Sequence, residues 1–443
     1  MSSRAQRAAG RLLAAGCLAA MAGWLAACSG VEEVDPDLLR ARNAEAQGRF
    51  DWARLYYRQD FARHPEHLES LRREGLSWLS GYQQSLSEGS IALERYLELR
   101  PGDLEIRQRL VSTLLLLGEW PRARELAISL DDSPLSLRLR AEALFETDPA
   151  QAREVIVKAL AEAPEDPAIQ ALAARIYERL GDLAAARTWA ETAVRRSPLQ
   201  HSSYYLLGRV LARLGEAEQG REVLELQQQL RRLQHDGTMA PLPPAEALAL
   251  LQELIPRLPA VTFEVRKQQL ELQFQAGQAS QAAAALPGLA EDPRATPEDL
   301  LELGKWAGEA GFRADSRRLF EAVLRQRPDD PGATASLAQL DLETGDLASA
   351  RQRLDAALAQ DEGFARYHYL RAQVARAEDQ SATARSHYER ALDLAPWEWT
   401  WRTALADLLL ALGDRQAFQD LLAAAPESTP GLEAYRQKHG VRI

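Results

Sequence analysis

Between Asp166 and Pro198 the small and apolar residues Ala174, Tyr177, Ala186, Ala190 and Ala193 sit at helical spacing on either side of a polar Gly181-Asp182 step. Two such stripes, broken by a glycine and closed by Pro198, predict a helix, a tight turn and a second helix running back along the first. The pattern then copies itself. Gly215 lies 34 residues after Gly181, and the same step links Gly277, Gly311, Gly345, Asp379 and Gly413. A period held that closely predicts an all-α repeat array, in which each helix pair buries its apolar face against the next.

The residues inside each period are specific. Tyr204, Leu207, Gly208 and Leu211 fall at W-x-x-L-G-x-x-Y positions of a first helix. Ala186, Ala350 and Ala384 take the small position early in the second helix, Phe320 and Tyr388 its aromatic position, and Ala193, Ala357 and Ala391 its later small position. Pro198, Pro328 and Pro396 end units. On these residues the chain resembles the tetratricopeptide repeat (TPR) family over nearly all of its length after residue 35, with about eleven units. The resemblance implies a superhelix of helix pairs, with first helices lining a concave face, and leaves the ligand open.

Residues 1–27 read differently. Arg4, Arg7 and Arg11 precede an apolar run from Leu12 to Ala27, the form of a secretory signal rather than a membrane span. Leu25-Ala26-Ala27-Cys28 resembles the bacterial lipobox, which implies acylation of Cys28 and cleavage before it. Ser29, a residue other than Asp after that cysteine, implies export to the outer membrane, with inner-membrane retention as the alternative. The tether 28–35 is short. At most about 3.5 Å per residue, it keeps the first repeat within roughly 30 Å of the bilayer.

An N-terminal array is expected over 36–235 and a C-terminal array over 261–443. Between them, 236–260 is an irregular junction: Gly237, Pro241, Pro243 and Pro244 interrupt helix, and an irregular helical pair from Ala245 to Leu258 restarts the stack, either as a hinge or as a packed insertion. Trp397, Trp399 and Trp401 open the last unit and are expected to close the core of an end that has no neighbour.

Charge narrows the partners. The formal net charge is −11, and it becomes −14 once the three arginines of the signal are removed, which disfavours nucleic acid and anionic lipid faces. Both cysteines, Cys17 and Cys28, lie at the N-terminus, so the mature chain has no internal disulfide. No HExxH, GxSxG, P-loop or GxGxxG occurs. His64-Pro65-Glu66-His67 lies at a unit boundary where a proline-bent segment is not expected to hold both histidines on one helical face, and His201, His235, His368, His387 and His439 fall in scattered units. No enzyme activity, metal or cofactor is expected.

Binding is the better expectation. The resemblance places Arg175 and Arg179 of one first helix, and Arg209 and Arg213 of the next, on the concave face. Each pair is spaced i, i+4, and the pairs are one period apart. Tyr205 stands beside them, and Tyr369, Gln373 and Arg376 take comparable places later. A basic, partly aromatic groove in an acidic chain suits acidic peptide or an anionic polymer. The plainer reading is arginines that solvate a helix face, with Glu178 neutralising some of them. The family's carboxylate clamp is missing, since Asn43 is the only asparagine. The function expected is a membrane-anchored periplasmic scaffold or adaptor for envelope proteins in an assembly, secretion or exopolysaccharide-export machine. The alternatives are a direct binder of anionic polysaccharide and an adaptor for peptidoglycan hydrolases.

Overall fold

The computed structural model describes residues 35–80, 85–234, 240–425 and 432–439. The signal segment, Cys28 and the tether up to residue 34 lie outside the described residues. Twenty-four α-helices are described. The first six pairs are α1 (Pro36–Ala46) with α2 (Phe50–Arg63), α3 (Leu68–Trp78) with α4 (Leu86–Leu99), α5 (Leu104–Leu116) with α6 (Trp120–Ala127), α7 (Pro134–Leu144) with α8 (Pro149–Glu162), α9 (Pro167–Leu180) with α10 (Leu183–Arg196), and α11 (His201–Arg213) with α12 (Ala217–Gln234). A single helix, α13 (Pro244–Leu254), follows. The later pairs are α14 (Phe263–Gln275) with α15 (Ala279–Ala290), α16 (Pro297–Glu309) with α17 (Arg313–Gln326), α18 (Pro331–Glu343) with α19 (Leu347–Gln360), α20 (Ala365–Ala377) with α21 (Ser381–Leu394), and α22 (Trp399–Ala411) with α23 (Arg415–Ala423). The last helix is α24 (Leu432–Lys438).

Local chemistry explains the unit. Asp166 accepts hydrogen bonds from the amides of Ala168 and Ile169 at 2.8 and 3.2 Å, capping α9 just before Pro167, whose fixed φ suits a first helical turn. At the other end Gly181 adopts φ 84°, which lets the Asp182 amide reach Tyr177 O at 3.0 Å, and Asp182 then caps α10 through the Ala185 amide. Ala186, Ala190 and Ala193 are fully buried, so α9 and α10 approach closely. In the next unit a Cβ on Gly208 would stand 2.6 Å from Leu224 Cγ, which is why that first-helix position holds glycine.

The junction departs from expectation. Instead of an irregular pair, one helix, α13, runs into a short 3-10 turn at Ile255–Arg257, where Pro256 has no amide hydrogen to continue the ladder. Leu248, Leu251, Leu254 and Leu258 are buried in one cluster with Leu226, Leu230 and Leu233 of α12 and with Val265 and Leu272 of α14. The core therefore runs without a break from one half to the other. Residues 235–239 lie outside the described residues.

The far end also departs from expectation, because it has a neighbour, the first described helix pair α1 and α2. Trp397 stacks on Trp52 of α2 with ring centroids 5.8 Å apart, leans on Tyr56 at 6.0 Å, and donates its indole N–H to Gln47 Oε1 at 2.7 Å. Arg40 donates to Asp393 O at 2.8 Å. Asn43 Nδ2 donates to Gly363 O, and its Oδ1 accepts the amide of Ala365, both at 2.7 Å. Ala365 opens α20, whose preceding residue Phe364 has no side-chain acceptor, so Asn43 caps that helix from 322 residues away. One hydrophobic cluster contains Ala41, Ala44 and Tyr57 together with Tyr388, Trp397 and Trp401. The array closes on itself. On the outer side of α22, Tyr435 of α24 meets Trp399 edge to face at 5.6 Å.

Candidate functional site: a basic cleft across three units

Arg175, Arg179, Tyr205, Arg209 and Arg213 line one cleft of about 880 Å³ formed by α7, α9 and α11. The three helices are successive first helices, and their inward faces meet there because each unit repeats the last. The arginine side chains remain 41 to 54 % exposed. Each is met by a glutamate from the preceding unit. Arg175 lies 3.5 Å from Glu142 and Arg179 3.7 Å from Glu146, while Arg209 and Arg213 share the buried Glu178 at 2.9 and 3.4 Å. The neutralisation is partial, since five arginines, counting Arg138, face three glutamates and leave two positive charges.

Aromatic faces complete the cleft. The Arg175 guanidinium lies 4.7 Å over the Phe145 ring and that of Arg209 5.6 Å over Tyr205, which is 50 % exposed. Guanidinium planes held over rings are preoriented and remain able to grip a carboxylate or phosphate with two N–H groups. The partly exposed pairs of Arg175 with Glu142 and Arg179 with Glu146 contribute only about 0–1 kcal/mol each, so an incoming anion competes with these two glutamates on nearly equal terms.

Arg138, Glu142 and Phe145 were not among the residues expected here. Arg138 precedes Arg175 by 37 residues rather than 34, so a search at fixed period passes it by.

The later trio is separate from this cleft. On α20, Gln373 donates to the Tyr369 hydroxyl at 2.7 Å, and Tyr369 stacks on Trp401 at 4.9 Å and 12°. Burial pushes the Tyr369 phenol up. Tyr369 and Gln373 thus support the closure region, while Arg376 is exposed. One histidine arrangement differs from expectation and another meets it. His368 and His387 are not in different units but on facing helices of one pair, with Nδ1 atoms 3.0 Å apart. His64 and His67, although on no common helix, stack at 4.8 Å because one follows α2 and the other precedes α3.

Three stretches, 143–207, 309–374 and 375–439, match the family model for the tetratricopeptide repeat. No curated protein matches in sequence. Among solved structures, yeast Tom70 is 15 % identical, with 90 % of this chain and 94 % of that one covered at a TM-score of 0.36. The Cut9 and Hcn1 hetero-tetramer of the APC/C gives 12 % identity, 88 and 93 % coverage and a TM-score of 0.33. MamA from Desulfovibrio magneticus RS-1 gives 20 % identity over 39 % of this chain and 96 % of that one, with a TM-score of 0.33. No enzyme family is indicated, and repeats of this kind typically serve as non-catalytic scaffolds for protein interaction. These three stretches match tetratricopeptide repeats, and the described residues assemble as an all-α solenoid.

Proposed function

We propose that this chain is a periplasm-facing scaffold, anchored through an acylated Cys28 in the outer membrane, that gathers protein partners of an envelope assembly, secretion or exopolysaccharide-export machine. The observation that carries the reading is the cleft of Arg138, Arg175, Arg179, Arg209 and Arg213, locally positive on a chain of net charge −11. Such a cleft selects an acidic segment by bidentate contacts, and a lipid tether raises the local concentration of whatever is bound. The signal-like start and the Leu25-Ala26-Ala27-Cys28 motif support the anchoring.

Cross-linking in native envelopes, read by mass spectrometry, tests both parts. Replacing Arg175, Arg179, Arg209 and Arg213 together by Ala is expected to cut capture of the principal partner at least about tenfold, the equivalent of roughly 1.4 kcal/mol. Equal capture by that variant removes the cleft from the reading. Cys28→Ala is expected to move the chain out of the membrane fraction, and a variant that stays there counts against the anchor. The half-exposed Tyr205 beside the arginines favours one alternative, an anionic polysaccharide stacked on the ring. Salt-sensitive binding of purified acidic glycan with no protein present would select it.

A further inference from the structure

The turn between α2 and α3 gathers a set of groups that the binding cleft does not use. The donor atoms of His64, Glu66 and His67 lie within 4.8 Å of one another. Glu66 Oε1 is 3.5 Å from His64 Nδ1. Each imidazole has its other nitrogen engaged by a carboxylate. His64 Nε2 is 3.2 Å from Asp35 Oδ2, and His67 Nδ1 is 3.1 Å from Asp60 Oδ1.

Asp60 is fully buried and is itself held by the Ser70 hydroxyl. A buried carboxylate that accepts from one ring nitrogen fixes the tautomer and leaves the lone pair of the other free to bind. That lone pair is on Nδ1 of His64, which faces Glu66, and on Nε2 of His67.

From this arrangement we infer that His64, Glu66 and His67 form a binding site for a divalent transition ion of the zinc class, with Asp35 and Asp60 as positioning residues behind the two imidazoles. Two imidazoles and one carboxylate are a donor set that suits zinc, with a fourth position left to water. The surroundings agree in charge. The cleft in front of the site carries Glu69 and Asp103 as well as Asp35 and Glu66, against Arg42 and Arg100. The His64 and His67 side chains are 38 and 37 % exposed, so an ion has a path in. Bound there, it ties the start of α1, through Asp35 and His64, to the turn that leads into α3.

The test is titration of the untagged full-length chain with zinc chloride by calorimetry, with cobalt(II) as a spectroscopic probe. One ion per chain is expected, with visible cobalt absorption of a four-coordinate site. The His64→Ala and His67→Ala pair should abolish both signals. Glu66 has a 70 % exposed side chain, so Glu66→Gln leaves folding untouched and should weaken binding about tenfold or more. Asp60→Asn keeps all three ligands and should weaken it by roughly 10–100-fold while changing the cobalt spectrum. Zinc binding of the same stoichiometry and affinity in Glu66→Gln and in the histidine variants would mean adventitious surface carboxylates and would overturn the site, as would the absence of any one-to-one binding in the unaltered chain.

Discussion

Asp379 holds, at φ 59°, the left-handed turn position that Gly277, Gly311, Gly345 and Gly413 hold in the neighbouring units. A side chain in that conformation crowds the following carbonyl and costs about 1 kcal/mol relative to glycine, less whatever local hydrogen bonding an aspartate recovers. Asp379→Gly is therefore expected to stabilise the chain by about 0.5–1 kcal/mol, seen as a higher midpoint in urea unfolding; a lower midpoint would refute the argument. The position was legible in the sequence, because a 34-residue step from Gly345 lands on it whatever residue is there. Asn43 was not legible in the same way. Its being the only asparagine marked it out, but the amide it caps belongs to α20 at the other end of the chain.

Between elements, an antiparallel pair brings together residues equidistant from its turn. His368 lies 11 residues before the turn residue Asp379 and His387 8 residues after it, so their contact follows from the offset between the two helices and was not legible from spacing alone. His368 Nε2–H donates to Glu362 O at 2.9 Å, which leaves its Nδ1 as acceptor for the Nδ1–H of His387. Burial, and then His368 and Arg371, push His387 down to about 4, against the pull of Asp355. Burial, then Arg390, also lowers His368, opposed by Glu362 and Asp361.

The unfolded chain, with His near 6.5, binds these protons first as pH falls. Stability associated with the pair is thus present above about pH 6.5, declines through the interval down to about 4 and is flat below it. Allowing for solvent screening, the loss is about 1–2 kcal/mol. Denaturant unfolding at pH 7.0 and 4.5 should show His387→Gln losing less stability than the unaltered chain by that amount, and identical losses would exclude the pair as the source. The basic cleft belongs to this scale too. Its arginines were legible as an i, i+4 pair repeated at one period, whereas Arg138 was displaced by three residues of irregular spacing.

For the whole molecule the decisive feature is that the first described helix pair, α1 and α2, meets the stretch from Gly363 to Trp401. Asn43 is buried between two backbone groups, and removing it leaves the Ala365 amide and the Gly363 carbonyl without partners, a cost of about 1–3 kcal/mol each. Combining Asn43→Ala with Trp397→Ala also removes the stack on Trp52. The double variant is expected to open the array, raising the radius of gyration in solution scattering and exposing the α20 amides to hydrogen exchange, while the helical circular dichroism stays near its original value. An unchanged radius with unprotected amides in neither form would contradict the closure. Opening also separates partner capture from shape, because the basic cleft lies on α7, α9 and α11, far along the chain from the contact.

Taken alone, the amino-acid sequence determined the helix pairs, their turns, the small buried positions and the all-α solenoid, because each of these depends on residues within one period or on the unit next to it. It also pointed to the arginines of the cleft, since neighbouring units place equivalent residues side by side. Only the tertiary structure decided that Trp397 covers Trp52, that Asn43 caps a helix 322 residues away and that His64 and His67 converge at a turn. The reason is geometric. The path of a solenoid accumulates from a small rotation at every interface, and no single repeat records where the sum of those rotations brings the last unit.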